Sequence, residues 1–115
     1  MQEIDVQLVQ EYIDSKKNNE VYIHLETTNG AYASHHENKF GSGAFIRNAK
    51  ILYTNGKVTP VNPHRVGLEM EIGWVYAEGL THFEIDEEGH LLMCGIDYDG
   101  KLAVAFQISD KPFKK

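Results

Sequence analysis

The sequence predicts an α+β domain that is mostly β, with an N-terminal helix packed on an antiparallel barrel or sandwich of about seven strands. Three observations predict this fold. Apolar residues recur with a helical period in residues 1–19, they recur mainly at every second position in residues 20–108, and no further helical segment separates the strands. The 115 residues fit one domain. Residues 109–115 form a polar tail that we expect to fray.

The N-terminal helix is predicted over Glu3–Lys17. Its apolar residues form a single stripe, made by Ile4, Leu8, Val9, Tyr12 and Ile13. Acidic residues at its start and Lys16–Lys17 at its end suit the helix dipole, and Asn18–Asn19 is expected to end it. Because only one face is apolar, the helix has to lie against the sheet.

The first half of the β region is predicted to contain strands joined by short turns. Val21–Glu26 alternates apolar and polar residues, as a half-buried strand does. Asn29–Gly30 is typical of a type I′ hairpin turn, because both residues tolerate positive φ. The remaining segments are predicted as a return strand at Ala31–Ser34, a polar loop at His35–Gly43, a strand at Ala44–Tyr53, a turn at Thr54–Gly56 and a loop at Thr59–Pro63.

The second half is more regular. Val66–Tyr76 carries apolar residues at every second position, which predicts one strand of about eleven residues. Trp74 and Tyr76 would then share a face with Leu68 and Met70. This pattern favours core packing, with an aromatic-lined ligand cleft or a subunit contact as the alternatives. Three more strands, joined by short turns in a meander, are predicted at Thr81–Asp86, His90–Asp97 and Lys101–Ile108.

The composition excludes several classes of protein. Acidic residues outnumber basic ones by 17 to 11, and the formal charge of −6 argues against general nucleic-acid binding. The N-terminus has no signal-peptide pattern and no window reaches the ~20 apolar residues of a membrane span, so we expect a cytoplasmic protein. Cys94 is the only cysteine, which excludes an intrachain disulfide and predicts a buried structural thiol.

The charges are unevenly distributed along the chain. Residues 66–100 hold nine acidic residues and no lysine or arginine, whereas residues 35–65 hold five basic residues and one acidic residue. Such regions predict complementary surfaces, within one chain or across a dimer, although an ordinary mixed-charge surface is the alternative. If the basic region forms a site, its anion-binding residues are predicted to be His35, His36, Lys39, Arg47 and Arg65, with Trp74 as an aromatic neighbour.

Two histidine–glutamate pairs suggest a different function. His24 with Glu26, and His82 with Glu84, each place an imidazole and a carboxylate on one face of a strand. If the two strands are neighbours, the four side chains could bind a divalent metal and support a metal-dependent enzyme. The alternative is that both pairs lie on solvated strand faces. No dinucleotide or phosphate-loop motif predicts a cofactor.

Four segments of the chain resemble the YojF-like family of small, functionally uncharacterised bacterial proteins. They are Val21–Ala33, Phe45–Asn48, Arg65–Leu68 and, most specifically, Gly73–His82. The resemblance implies a stand-alone, cytoplasmic, β-rich domain and supplies no catalytic motif. It also implies a link to low-molecular-weight thiol metabolism, because family members look to be encoded beside a sugar-amide deacetylase of bacillithiol synthesis.

We therefore expect a binding or accessory protein rather than an enzyme. Its expected partners are a second copy in a homodimer and either a small anionic metabolite or a deacetylase. Neither nucleic acid nor a membrane is expected as a partner.

Overall fold

A computed structural model describes residues 1–28 and 43–115. The predicted turn at Asn29–Gly30, the return strand at Ala31–Ser34, and His35, His36 and Lys39 lie outside the described residues. The elements, in chain order, are β1 (Gln2–Glu3), α1 (Val6–Lys16), β2 (Glu20–Thr27), β3 (Ala44–Val58), β4 (His64–Met70), β5 (Trp74–Leu80), β6 (His82–Ile85), β7 (Leu91–Ile96) and β8 (Leu102–Ser109).

The eight described strands form one antiparallel sheet that curls into a half-barrel. The strand order is β1-β6-β7-β8-β2-β3-β4-β5. Strand β3 joins the two parts of the sheet, because its first half pairs with β2 and its second half pairs with β4. The curl brings β5 against β7 and β8. The predicted fold class, a mostly β domain with one N-terminal helix, is confirmed.

The helix packs on the inner side of the sheet through Val9, Tyr12 and Ile13, which are buried as predicted, whereas Leu8 of the predicted stripe is 42% exposed. It begins at Val6, with Asp5 as the N-cap whose carboxylate accepts a hydrogen bond from the backbone of Leu8 at 3.2 Å. The predicted start at Glu3 is wrong. Residues 2–3 pair instead with β6, and this pairing covers the edge of the sheet.

The predicted turn at Thr54–Gly56 is also wrong, since β3 continues through these residues to Val58. Asn55 and Gly56 pair with Glu69 and Leu68 of β4, with a register shift just before Asn55. The glycine is required here for packing. A Cβ at Gly56 would lie 2.5 Å from Cγ2 of Ile13, so the glycine lets the helix approach the strand.

The predicted eleven-residue strand at Val66–Tyr76 is two strands. The chain turns back at residues 71–73, where Gly73 has a φ of 95° and closes a tight hairpin. Because the turn contains three residues, an odd number, the inward-facing side chains change from even-numbered to odd-numbered positions. As a result, Val66 and Leu68 point into the core before the turn, while Val75 and Ala77 do so after it.

The predicted meander is confirmed, with β6, β7 and β8 joined by short turns. Its inward residues complete the core, which includes Phe83, Leu91, Met93, Phe106 and Ile108. Cys94 is buried as predicted, and burial raises the pKa of its thiol. Within the described residues, no helix is long and apolar enough to cross a membrane.

We predicted that the C-terminal tail would fray, but the structure holds it against the sheet. The side-chain amide of Asn48 donates to the carbonyl of Phe113 at 2.8 Å and accepts from its backbone N–H at 2.7 Å. The ring of Phe113 also packs edge-on against His90. Asn48 has a φ of 61°, a conformation that asparagine tolerates better than most residues. The tail is therefore held on the start of the sheet's long central strand.

Candidate functional site

Trp74 and Tyr76 stand on the outer face of the sheet rather than in the core. Their side chains are 51% and 49% exposed, which overturns the predicted core packing. The rings are stacked, with an interplanar angle of 4° and centroids 5.4 Å apart. Two large aromatic side chains that lie half-exposed side by side on a strand form an apolar surface on which a ligand or a partner could pack.

Gly67 of β4 gives the rings their position. It lies directly opposite Tyr76 in the sheet, and a Cβ there would lie 3.0 Å from Cε1 of Tyr76 and 4.0 Å from Cζ3 of Trp74. Because glycine has no side chain, both rings lean across β4. Lys57 of β3 is the next residue in the same row, paired with Gly67 on its other side.

Arg65 extends the row of planar groups. Its guanidinium lies 5.3 Å from the ring centroid of Tyr76 and forms an ion pair with Glu78, to which Nε donates at 2.6 Å. The basic and acidic regions of the sequence therefore meet within one chain at this pair. Since both side chains are more than half exposed, the pair contributes little to stability. Its effect is to hold the guanidinium over the ring.

These side chains enclose a cleft of about 250 Å³. The residues that line it include Asn55, Lys57, Thr59, Arg65, Trp74 and Tyr76. The two cations differ in their surroundings. Arg65 is neutralised by Glu78, whereas Lys57 forms no ion pair with any residue that the structure describes. The cleft thus combines an aromatic wall with one positive charge that has no acidic partner among residues 1–28 and 43–115.

Arg47 does not belong to this cleft. It lies on the half of β3 that pairs with β2, and its guanidinium donates to the carbonyl of Lys114 at 2.9 and 2.7 Å. The same group lies 4.9 Å from the ring centroid of Phe113. Of the predicted anion-binding set, the structure therefore brings Arg65 and Trp74 together and holds Arg47 on the C-terminal tail.

The predicted four-residue metal site is not assembled. Strands β2 and β6, which carry the two histidine–glutamate pairs, are separated by β7 and β8. His24 Nε2 lies 3.2 Å from Glu26, while His82 Nδ1 shares a hydrogen bond of 2.7 Å with the hydroxyl of Thr81. Across residues 1–28 and 43–115, no three histidine, cysteine or acidic side chains are grouped so as to hold a metal ion.

His24 is buried, which excludes the solvated position that was the alternative for it. Its ring packs edge-on against Phe45, and Nδ1 has no hydrogen-bond partner among the described residues. The other nitrogen is held by Glu26. The imidazole is therefore buried between Phe45 and Glu26, on the face of β2 opposite the core residues Ile23 and Leu25.

Sequence reasoning missed Lys57 and did not assign Tyr76 to the site. The apolar residues Val75 and Ala77 could have revealed the cleft, because they begin an inward-facing alternation that is out of phase with the one before Gly73, and Leu80 ends the strand inside after a register shift. With these three inside, Trp74 and Tyr76 have to face outward.

Comparisons with known proteins agree with the resemblance found in the sequence. A family model described as "Protein of unknown function (DUF1806)" matches residues 3–113. "Uncharacterized protein YojF" of Bacillus subtilis (strain 168) is 50% identical over 106 residues, which cover 91% of each chain. The crystal structure of Bacillus subtilis YojF protein superposes with a TM-score of 0.83 at 44% identity, covering 99% of this chain and 97% of that one. This chain therefore belongs to the DUF1806 family, and the resemblance to YojF-like proteins that its sequence segments predicted is confirmed.

Proposed function

We propose that this protein is a non-enzymatic binding domain whose cleft takes a small ligand made of a flat ring and one anionic group. The observation that carries the proposal is the juxtaposition of the exposed Trp74–Tyr76 stack with Lys57. Pockets for small molecules combine an apolar wall with a few polar groups that fix orientation, and this cleft has that composition.

The ring of the ligand is expected to lie against the aromatic wall. Aromatic pairs contribute ≈ 0.5–1.5 kcal/mol beyond the area they bury. Trp74 and Tyr76 are held nearly parallel by Gly67 and Arg65 before any ligand arrives, so binding orders few side chains. Both a sugar ring and an aromatic ring present the flat face that such a wall accepts.

The anionic group is expected to meet Lys57. The charge of Arg65 is already offset by Glu78, whereas Lys57 has no ion-pair partner in the described part of the chain. A single carboxylate suits this charge better than a group with two negative charges. Arg65 then contributes by keeping the ring of Tyr76 in place.

The cellular setting is a further part of the proposal. We place the domain in the cytoplasm as an accessory protein of low-molecular-weight thiol metabolism, on the resemblance to a family whose members look to be encoded beside a sugar-amide deacetylase. A sugar derivative that carries a carboxylate would satisfy both the cleft and that setting. A homodimer that uses the outer face of β5 would compete with the ligand for Trp74.

Intrinsic fluorescence tests the proposal, because Trp74 is the only tryptophan in the chain. Glucuronate and phenylacetate supply a sugar ring and an aromatic ring, each with one carboxylate. Methyl glucoside and benzyl alcohol supply the rings alone, and acetate supplies the carboxylate alone. We expect saturable changes in Trp74 emission with at least one of the first two probes, and about tenfold weaker binding of the corresponding ring without its carboxylate.

Lys57→Ala and Lys50→Ala form a matched pair for the same titration. Both lysines lie on β3, but Lys50 pairs with Glu20 at 3.4 Å and lies outside the cleft. We expect Lys57→Ala to remove the advantage of the carboxylate and Lys50→Ala to leave it unchanged. An emission that no probe alters, or one that depends only on protein concentration, would show that the exposed rings serve another purpose, such as self-association.

A further inference from the structure

The aromatic cleft is one end of a longer depression on the surface. A second hollow of about 340 Å³ shares Thr59 and Arg65 with the cleft. A third, of about 350 Å³, shares Asn62, Pro63 and Gly79 with the second. Because each hollow shares lining residues with the next, the three hollows form a row along the surface from Trp74 to Tyr98, which we call the groove.

The two ends of the groove carry opposite charges. Lys57 lies at the first end without an acidic partner among the described residues. Asp97 lines the third hollow beside Tyr98, whose side chain is fully exposed, and Ile96, which is 37% exposed. Each end thus offers an aromatic ring and one sign of charge. A neutral oligosaccharide has no charges to pair with the two ends of the groove, whereas a peptide with one acidic end and one basic end can pair with both.

The middle of the groove contains an ion pair and a glycine. The ion pair between Arg65 and Glu78 separates the first hollow from the second, and Gly79, with a φ of 78°, separates the second from the third. An exposed ion pair of this kind rearranges at little cost in free energy. Residues 74–79 alone span about 17 Å at ~3.3 Å per residue, which matches an extended peptide of about five residues.

We propose that the groove binds an extended peptide segment of about five residues. Its aromatic side chain and carboxylate occupy the Trp74 end, and a basic group occupies the end formed by Asp97 and Tyr98. This inference rests on the proposed function, since it uses the same ring-and-carboxylate recognition, and it extends that recognition to a second anchor on the β7–β8 turn. Large exposed aromatic side chains at both ends are typical of the anchors in such interfaces.

Synthetic probes test the length and the polarity of the ligand by Trp74 emission. The main probe is a pentapeptide with an N-terminal lysine, three alanines and a C-terminal phenylalanine with a free carboxylate. N-acetylphenylalanine provides only the ring and the carboxylate. We expect the pentapeptide to bind at least about tenfold more tightly than N-acetylphenylalanine, and we expect replacement of its N-terminal lysine by glutamate to remove most of this gain.

Substitutions at the far end separate this inference from the proposed function. Asp97→Asn keeps the acceptor for the backbone N–H groups of Asp99 and Lys101 but removes the charge. Together with Tyr98→Ala, it should lower the affinity for the pentapeptide to that of N-acetylphenylalanine, whose own affinity should not change. Asp99→Asn, on the same turn but outside the hollow, is the control.

Equal affinities for the pentapeptide and N-acetylphenylalanine would overturn the extended groove while leaving the proposed function intact. Tighter binding of maltopentaose than of the pentapeptide would overturn the peptide class. If neither N-acetylphenylalanine nor the pentapeptide changes the emission of Trp74, the peptide groove fails, and if glucuronate and phenylacetate also leave the emission unchanged, the proposed function fails with it.

Discussion

The phenol ring of Tyr76 lies directly against the backbone of Gly67, where even one added carbon would come within 3.0 Å of the ring. This contact decides the shape of the outer face. It lets the ring lean across β4 towards Lys57 and keeps Trp74 parallel to it. The site therefore depends on Gly67, because any side chain at this position would crowd the ring of Tyr76.

Gly67→Ala is expected to disturb the cleft without unfolding the protein. The new Cβ would meet Cε1 and Cδ1 of Tyr76 at 3.0 and 3.2 Å, and the half-exposed ring can move away. We expect a shift in Trp74 emission, several-fold weaker binding of the ring-and-carboxylate probe, and a stability change within about 1 kcal/mol. In a Tyr76→Ala background the same substitution should have little effect on emission, since the crowded ring is gone and Cζ3 of Trp74, at 4.0 Å, is in ordinary contact.

Gly95→Ala is expected to be far more damaging. Its Cβ would overlap the carbonyl oxygen of Gly79 and lie 2.6 Å from Cγ1 of Val104, so the backbone of β5 would have to move. We expect the free energy of unfolding in urea to fall by about 3 kcal/mol or more. A loss similar to that of Gly67→Ala would contradict the close approach of β5 to β7.

Asn48→Gly is expected to release the C-terminal tail while leaving the cleft intact. Glycine tolerates the positive φ, so the substitution removes only the two side-chain hydrogen bonds to Phe113. We expect faster amide hydrogen exchange at Phe113 and a loss of about 1–2 kcal/mol in stability. Asn18→Gly, at the other asparagine with positive φ, is the matched control and should leave the tail protected.

Alkaline pH is expected to destabilise the fold through two buried tyrosines. Burial, with a smaller effect of Asp110, raises the pKa of Tyr12 to about 12, and burial also raises the pKa of Tyr53. Their hydroxyls donate to the carbonyls of Gly89 and Ile13, each at 2.7 Å. A phenolate would lose these bonds, so the folded state favours the protonated form more strongly than the unfolded state does.

The sign of this effect follows from the raised pKa. The stabilisation contributed by Tyr12 is fully present below pH 10, its ordinary pKa, and declines as the pH rises towards about 12, by roughly 2–3 kcal/mol in total. Urea unfolding at several pH values measures it. Tyr12→Phe should reduce the slope between pH 10 and 12, and a wild-type profile that is flat over this range would contradict the buried hydroxyls.

The sequence predicted the fold class because the main periodicities are local and simple. The helical stripe of Val9, Tyr12 and Ile13 and the alternation of the meander each require a single buried face, and the structure buries those faces. Element boundaries were less predictable. Asn55–Gly56 is typical of a turn, yet pairing with β4 and packing against the helix keep it in a strand.

The site was only partly predictable. Arg65 and Trp74 were expected to act together, and they do lie in one cleft. The alternation from Val66 to Tyr76, however, continues unbroken across the hairpin turn, so it assigned Trp74 to the wrong face. The position of Arg47 depends on its contact with Lys114, 67 residues away in sequence, which no local pattern encodes.

Titration of Trp74 emission with phenylacetate and glucuronate, on the wild type and on Lys57→Ala, tests the central claim most directly. The account predicts a saturable change with a ring that carries a carboxylate, and about tenfold weaker binding once Lys57 is removed. An emission that stays unchanged with both probes, or equal affinities for the wild type and Lys57→Ala, would contradict it.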